Sequence, residues 1–154
     1  MGDRPIRRRG LELPPLRFVH YPTREPCRGA RGFYTGDRSR ATIRICVREA
    51  SPFAELLLLH EIAHAWDRYT LTDRQRAAFL QQRDLEEWWD NGSAPWHTYG
   101  VEQAAQIIAW GLIDRHIHIA TIPDSTCLDH RTGYVLLTGR PPLHRYADPC
   151  DDAA

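Results

Sequence analysis

Residues 56–67 read Leu-Leu-Leu-Leu-His60-Glu61-Ile-Ala-His64-Ala-Trp-Asp67, and the interpretation of the whole chain starts from this stretch. Residues four positions apart lie only about 40° apart around an α-helix, so the imidazoles of His60 and His64 would reach one metal ion. Glu61 lies one position further round the helix, where its carboxylate would hold a water bound to the metal instead of the metal itself. Two histidines and a glutamate in this pattern are typical of metal-assisted hydrolysis with a built-in general base.

The surroundings of the motif favour a buried helix. Ser51 and Pro52 are a good N-cap and first-turn pair, and the four leucines that follow are tolerated best where a helix is covered. We therefore predict a helix from Pro52 to about Thr70. The alternative is a pair of core histidines that are hydrogen-bonded to neighbours, with Glu61 in a surface ion pair.

Length and charge indicate one ordinary domain without a basic surface field. The chain has 154 residues, and its 20 Lys and Arg residues are balanced by 20 Asp and Glu residues. This balance makes nucleic acid and anionic membranes unlikely partners. We predict a basic tail over residues 1–15, which contain Arg4 to Arg9 and three prolines, followed by a single domain over residues 16–148.

The cysteines and the absence of long apolar runs bear on the compartment. Behind the arginine-rich start, no apolar run reaches the length of a signal peptide or a membrane span, because prolines interrupt it. We therefore expect a cytoplasmic protein with reduced thiols. Bridges from Cys27 to Cys46 or from Cys127 to Cys150 are the alternative if the protein is exported, and no Cys-x-x-Cys pair indicates a zinc ribbon.

Periodicity divides the rest of the chain into strands followed by helices, an α+β order. Strands are predicted for Leu16 to Tyr21, 31–35 and 40–48, with a short extended piece at 117–122. Besides the motif helix, three helices are predicted: 73–90 capped by Thr72, about 100–113, and a last helix from an Asp124 cap to near Leu137, stopped by Gly139.

A catalytic zinc usually takes three protein ligands and leaves one position for water, so the two histidines need a partner. We favour Glu102, because its helix continues through Ala105 and Ala109, small residues that permit close approach to another helix. A glutamate in a first helical turn also interacts well with the helix dipole, and that interaction alone is the alternative explanation.

Two other residues compete for the third position. Asp67 lies three residues after His64 and would bind metal only with strain, so we expect it to orient a ligand or a loop. His97 lies in a loop and could fold over the metal. The other candidate histidines, His116, His118 and His130, fit the surface or the core better.

The order of these elements and motifs resembles that of a known protein family. Strands, a His-Glu-x-x-His helix, a backing helix and a helix with Glu102-x-x-Ala105-x-x-x-Ala109 are similar to the gluzincin branch of the zincin metallopeptidases, over roughly residues 16–113. The resemblance implies a zincin-like fold: a small N-terminal antiparallel sheet, an active-site helix, a backing helix and a glutamate helix. It also implies Zn²⁺ held by His60, His64 and Glu102. Many gluzincins carry an aspartate where this chain has Gln106, which supplies no charge.

The function predicted on this basis is that of a zinc metalloendopeptidase acting on a peptide or protein substrate, with Glu61 as general base. Tyr99 and His97 are the candidate oxyanion donors by position, followed by His130 and Tyr134. The resemblance further implies that a strand within 31–48 pairs with an extended substrate.

Two other functions remain open from the sequence. A regulatory or interaction protein could keep the zinc site for stability and catalyse nothing. A DNA-associated protease would instead use the basic residues Arg4 to Arg9.

Overall fold

The computed structural model describes residues 12–37, 39–113 and 122–143 as a small α+β protein. Its strands and helices are β1 Leu16–Tyr21, β2 Gly32–Gly36, β3 Ala41–Cys46, α1 Pro52–Thr70, α2 Asp73–Arg83, α3 Gly100–Leu112 and α4 Cys127–Thr138. Short 3₁₀ turns cover Glu25–Cys27 and Trp96–Thr98. Within these residues, no helix combines the length and the apolar character that crossing a membrane requires. The chain divides into two compact units between Thr70 and Leu71.

The first unit contains a mixed three-stranded sheet in the order β1-β3-β2. β2 and β3 form the expected antiparallel hairpin, whereas β1 pairs with β3 in parallel, with Leu16 opposite Ala41 and Tyr21 opposite Cys46. The prediction of an antiparallel sheet was therefore wrong. The reason is the connection over residues 22–31, which carries the chain past the position beside β1 and leaves that position for β3.

A disulfide between Cys27 and Cys46 fastens this connection to the end of β3. Cys127, in the second unit, is also disulfide-bonded. The expectation of reduced thiols was wrong at these positions.

The motif helix has the predicted bounds and packs on the sheet. The Ser51 hydroxyl accepts a hydrogen bond from the backbone N–H of Ala54 at 3.1 Å, as an N-cap does. α1 contacts β2 and β3, and Ile43 on β3 and Ile62 and Trp66 on α1 are buried. This packing sets the direction in which the motif side chains leave the helix.

Residues 12–15, which we assigned to the basic tail, contribute to the first unit. Leu13 is fully buried, and the carbonyl of Pro15 accepts a hydrogen bond from Ala41 N at 2.9 Å. The carbonyl of Glu12 accepts a bond from the Thr70 hydroxyl. These contacts fix the chain before β1 begins.

In the second unit, α2 begins at the predicted Thr72 cap, where Thr72 and Gln75 form a capping box. It ends at Arg83, seven residues before the predicted end at 90. Asp84 adopts a left-handed conformation with φ 53°, and this residue terminates the helix. The chain turns there, so that Trp88 packs edge-on against Phe79 of the same helix.

Helices α3 and α4 complete the second unit. α3 is buried on nearly all sides, and its Gly111 leaves space for the ring of Tyr134 on α4. α4 begins at Thr126, whose side chain forms a capping box with Asp129, so the predicted Asp124 cap was wrong. Gly139 ends α4 as predicted, with φ 68°. The extended piece at 117–122 lies outside the described residues except for Ile122, as do His116 and His118.

His130 is a core histidine, which is one of the two positions we expected for it. Its side chain is buried and its Nε2 atom has no hydrogen-bond partner within the described structure. Burial, together with the positive charge of Arg83, lowers the pKa of His130 from 6.5 to about 4. The folded protein therefore holds this imidazole neutral.

Because the pKa of His130 is lowered in the folded protein, we predict a loss of stability in mild acid. The unfolded chain binds a proton at His130 below about pH 6.5, whereas the folded chain does so only near pH 4. The free energy of unfolding should therefore fall as the pH drops between these values, by up to about 3 kcal/mol from this group. Urea unfolding at several pH values measures this slope. His130→Leu should flatten it; equal slopes in parent and His130→Leu would contradict the assignment.

Candidate metal centre

The two motif histidines converge on one point beside α1. Their Nε2 atoms lie 3.2 Å apart, and the rings meet edge-on with centroids 4.8 Å apart. Two nitrogens bound at about 2.0–2.1 Å to a tetrahedral zinc would be roughly 3.3 Å apart. The pair His60 and His64 therefore has the separation that one shared zinc ion requires.

Glu102 supplies a third donor atom. One ligand atom from each of His60, His64 and Glu102 lies within 4.8 Å of the others, and all three residues are half-buried. These three residues could hold a metal ion, and they are the ones predicted from the sequence. Two imidazole nitrogens and a carboxylate oxygen form a donor set that suits zinc.

Glu61 is not a member of this group and takes a different position. Its side chain is only 6% exposed and lies against the backbone of Gly32 on β2. A Cβ at residue 32 would come within 2.9 Å of both Cγ and Cδ of Glu61, so with any larger residue at position 32 the carboxyl would have to move. The Glu61 carboxylate thus lies against β2 and is not one of the candidate ligands.

Tyr34 is a site residue that the sequence analysis missed. Its ring lies 6.2 Å from the His64 ring, centroid to centroid. Its hydroxyl is buried and has no hydrogen-bond partner among the described residues, and burial raises the pKa of Tyr34. A buried hydroxyl without a partner costs stability, which indicates that something else meets it there. Strand alternation was the sequence signal that could have found it. Tyr34 is two residues after Gly32, so both lie on the same face of β2, towards α1.

Asp67 is buried beneath the same region. It is 2% exposed, and its negative charge contributes to the raised pKa of Tyr34. It does not belong to the group of potential ligands found in the described residues. The expectation that Asp67 orients a ligand or a loop stays a prediction.

The two oxyanion donors predicted from the sequence, Tyr99 and His97, are not members of the group of candidate ligands in the described residues. Tyr99 is 2% exposed, and its hydroxyl donates to Asn91 Oδ1 at 2.7 Å and accepts from Ala94 N at 2.8 Å. His97 lies in the 3₁₀ turn, where its carbonyl accepts a hydrogen bond from Gln103 Nε2. The Tyr99 hydroxyl therefore stabilises the loop before α3, and neither residue joins the candidate ligands of the described chain.

His130 and Tyr134 were the weaker candidates for the same role. Both are buried in the second unit, where His130 contacts Trp110 and Tyr134 packs on Gly111. Their positions are those of core residues.

Comparisons of this chain with protein-family models, with curated proteins and with solved structures find no match. The likeness to gluzincins therefore rests on the motif, on the α+β order and on the three clustered side chains.

We predict that the protein binds one zinc ion and that Glu102 contributes to its affinity. Loss of one of three ligands should weaken binding by at least the 10- to 100-fold that changes around the ligands typically cause. Competition with a chromophoric chelator measures this for Glu102→Ala. His97→Ala is the control and should keep the parent affinity; the reverse pattern would replace Glu102 by His97.

We also predict that Gly32→Ala disturbs Glu61 specifically. The added methyl group overlaps the Glu61 carboxyl, and overpacking of this kind typically costs about 1–3 kcal/mol. In a double variant with Glu61→Ala, which removes the overlapping atoms, most of this cost should disappear. Unfolding free energies for the four proteins of this cycle provide the measurement. An equal cost of Gly32→Ala in both backgrounds would contradict the contact.

Proposed function

We propose that this protein is a zinc-dependent hydrolase of peptide bonds. The observation that carries the proposal is the grouping of His60, His64 and Glu102, with the buried Glu61 next to His60 in the chain but outside this group. A purely structural metal site needs four protein ligands and no base, whereas three ligands and an adjacent carboxylate are what catalysis uses.

The role proposed for Glu61 is that of general base. Zinc, when bound, would lower the pKa of a water molecule and polarise the substrate carbonyl. Glu61 would take the proton from that water and pass it to the leaving amine. Its fixed position against Gly32 supports this role, because a base must be held within hydrogen-bond reach of the proton.

Tyr34 is the residue that we propose as oxyanion donor, in place of Tyr99 and His97. Its hydroxyl lacks a partner in the described structure and its ring neighbours His64. A raised pKa keeps the phenol protonated near neutral pH, so that it donates a hydrogen bond to negative charge that develops on the carbonyl oxygen.

The strand that carries Tyr34 also suits substrate binding. β2 is an edge strand of the sheet, since the order is β1-β3-β2. An extended peptide can add to such an edge through main-chain hydrogen bonds. The partner proposed for the protein is accordingly an extended segment of a peptide or protein.

The disulfide bears on where such an enzyme would work. Disulfides persist mainly in oxidising compartments. The bond between Cys27 and Cys46 therefore favours the export alternative over a cytoplasmic location.

We predict that Glu61→Gln retains zinc but loses hydrolysis. The amide fits the same space yet cannot accept the proton, and general acid–base groups typically contribute 10²–10⁴-fold to the rate. Zinc content and cleavage of a peptide library, with mapping of the new termini, provide the two measurements. Glu55→Gln, on the same helix, is the matched control and should behave as the parent. A protein that binds zinc yet gives no new termini would be the non-catalytic alternative, and equal cleavage by Glu61→Gln and parent would refute the role of Glu61.

A further inference from the structure

A pocket with a volume of about 400 Å³ lies at the end of the sheet, beside the start of α1. Its walls include Arg24 from the connection after β1, Arg31 just before β2, Arg48 just after β3, and Ser51 and Phe53 at the beginning of α1. Four separate segments of the first unit therefore build this pocket. None of its residues belongs to the candidate metal centre.

The charge of the pocket has one sign. Among the residues that the structure describes, three arginine side chains line it, and no aspartate or glutamate does. Within the described chain, none of these three guanidinium groups forms an ion pair. Positive charges gathered around a concave surface without a counter-charge create a potential that attracts anions.

One of the three arginines, Arg31, is held by an aromatic ring of the same pocket. The guanidinium carbon of Arg31 lies 4.8 Å from the centroid of the Phe53 ring. Stacking on an aromatic face holds the guanidinium plane and leaves its N–H edge for other partners. Next to it, Ser51 caps a helix of 19 residues, whose positive end adds to the field of the arginines.

The backbone around the pocket is also held in place. The Cys27–Cys46 disulfide ties the connection that carries Arg24 to the end of β3, and Cys46 itself lines the pocket. The His20 ring makes a hydrogen bond with the carbonyl of Val47 at 2.7 Å, next to Arg48. Binding of a ligand would therefore cost little conformational entropy in these segments.

We propose that this pocket binds an anionic ligand through a phosphate or a carboxylate group. Both groups match the planar fork of arginine, which donates two parallel hydrogen bonds to paired oxygens. The proposal does not depend on the proposed hydrolase function, because the two sites share no residue.

Titration of the full-length protein tests the proposal, with inorganic phosphate in one arm and glutarate in the other. The Nε–Hε NMR signals of the arginines report binding while chloride keeps the ionic strength constant. We expect saturable shifts at Arg24, Arg31 and Arg48. The ligand that binds more tightly shows whether the pocket prefers a phosphate or a carboxylate group. Arg48→Gln should weaken that binding about tenfold or more, the size of a lost charged hydrogen bond.

The control is Arg17→Gln, which removes the same charge from an exposed position on β1 outside the pocket. It should change the dissociation constant by less than about twofold, since exposed charges are screened by salt. Shifts that do not saturate with either ligand, or equal weakening by both variants, would overturn the proposal. If Arg48→Gln fails to fold, Arg24→Gln, at another exposed position, replaces it in the same comparison.

Discussion

The contact between Glu61 and Gly32 is the constraint on which the arrangement of this site depends. It fixes the motif helix α1 against strand β2, because the carboxyl occupies the space that any larger residue at position 32 would fill. Tyr34, two residues after Gly32 on β2, lies near His64, three residues after Glu61 on α1. Two strand residues advance about 6.6 Å and three helical residues about 4.5 Å, so strand and helix run side by side in the same direction. β2 thus meets α1 at two points, with Gly32 against Glu61 and Tyr34 near His64.

The helical repeat separates the roles of neighbouring motif residues. Adjacent residues of an α-helix point about 100° apart, so the side chains of His60 and Glu61 leave the helix in different directions. The first turns towards His64, with 3.2 Å between their nitrogens, and the second turns towards β2. A carboxylate that is 6% exposed and lies outside the group of candidate ligands is difficult to explain as a surface ion pair. The proposed role of Glu61 as general base would account for this burial.

The sequence was informative where a signal is local and uninformative where it depends on which segments become neighbours. The start of α1 follows from Ser51 and Pro52, and its motif residues converge as helix geometry requires. Strand order does not follow from alternation, which shows faces but not partners, and the mixed sheet was missed for that reason. The end of α2 was misplaced because the apolar pattern continues through Trp88, although the chain turns at Asp84. Tyr99 was chosen for its closeness to Glu102 in sequence, whereas Tyr34, far from it in sequence, lies beside His64.

The most direct test of the account is the position of the metal itself. A crystal structure of the zinc-loaded protein, with anomalous data collected on both sides of the zinc edge, locates the ion independently of its ligands. The account predicts one zinc at about 2.0–2.2 Å from nitrogens of His60 and His64 and from a carboxylate oxygen of Glu102, with the Glu61 carboxylate outside bonding distance. A zinc ion bound by Glu61, or bound without both motif histidines, would contradict it.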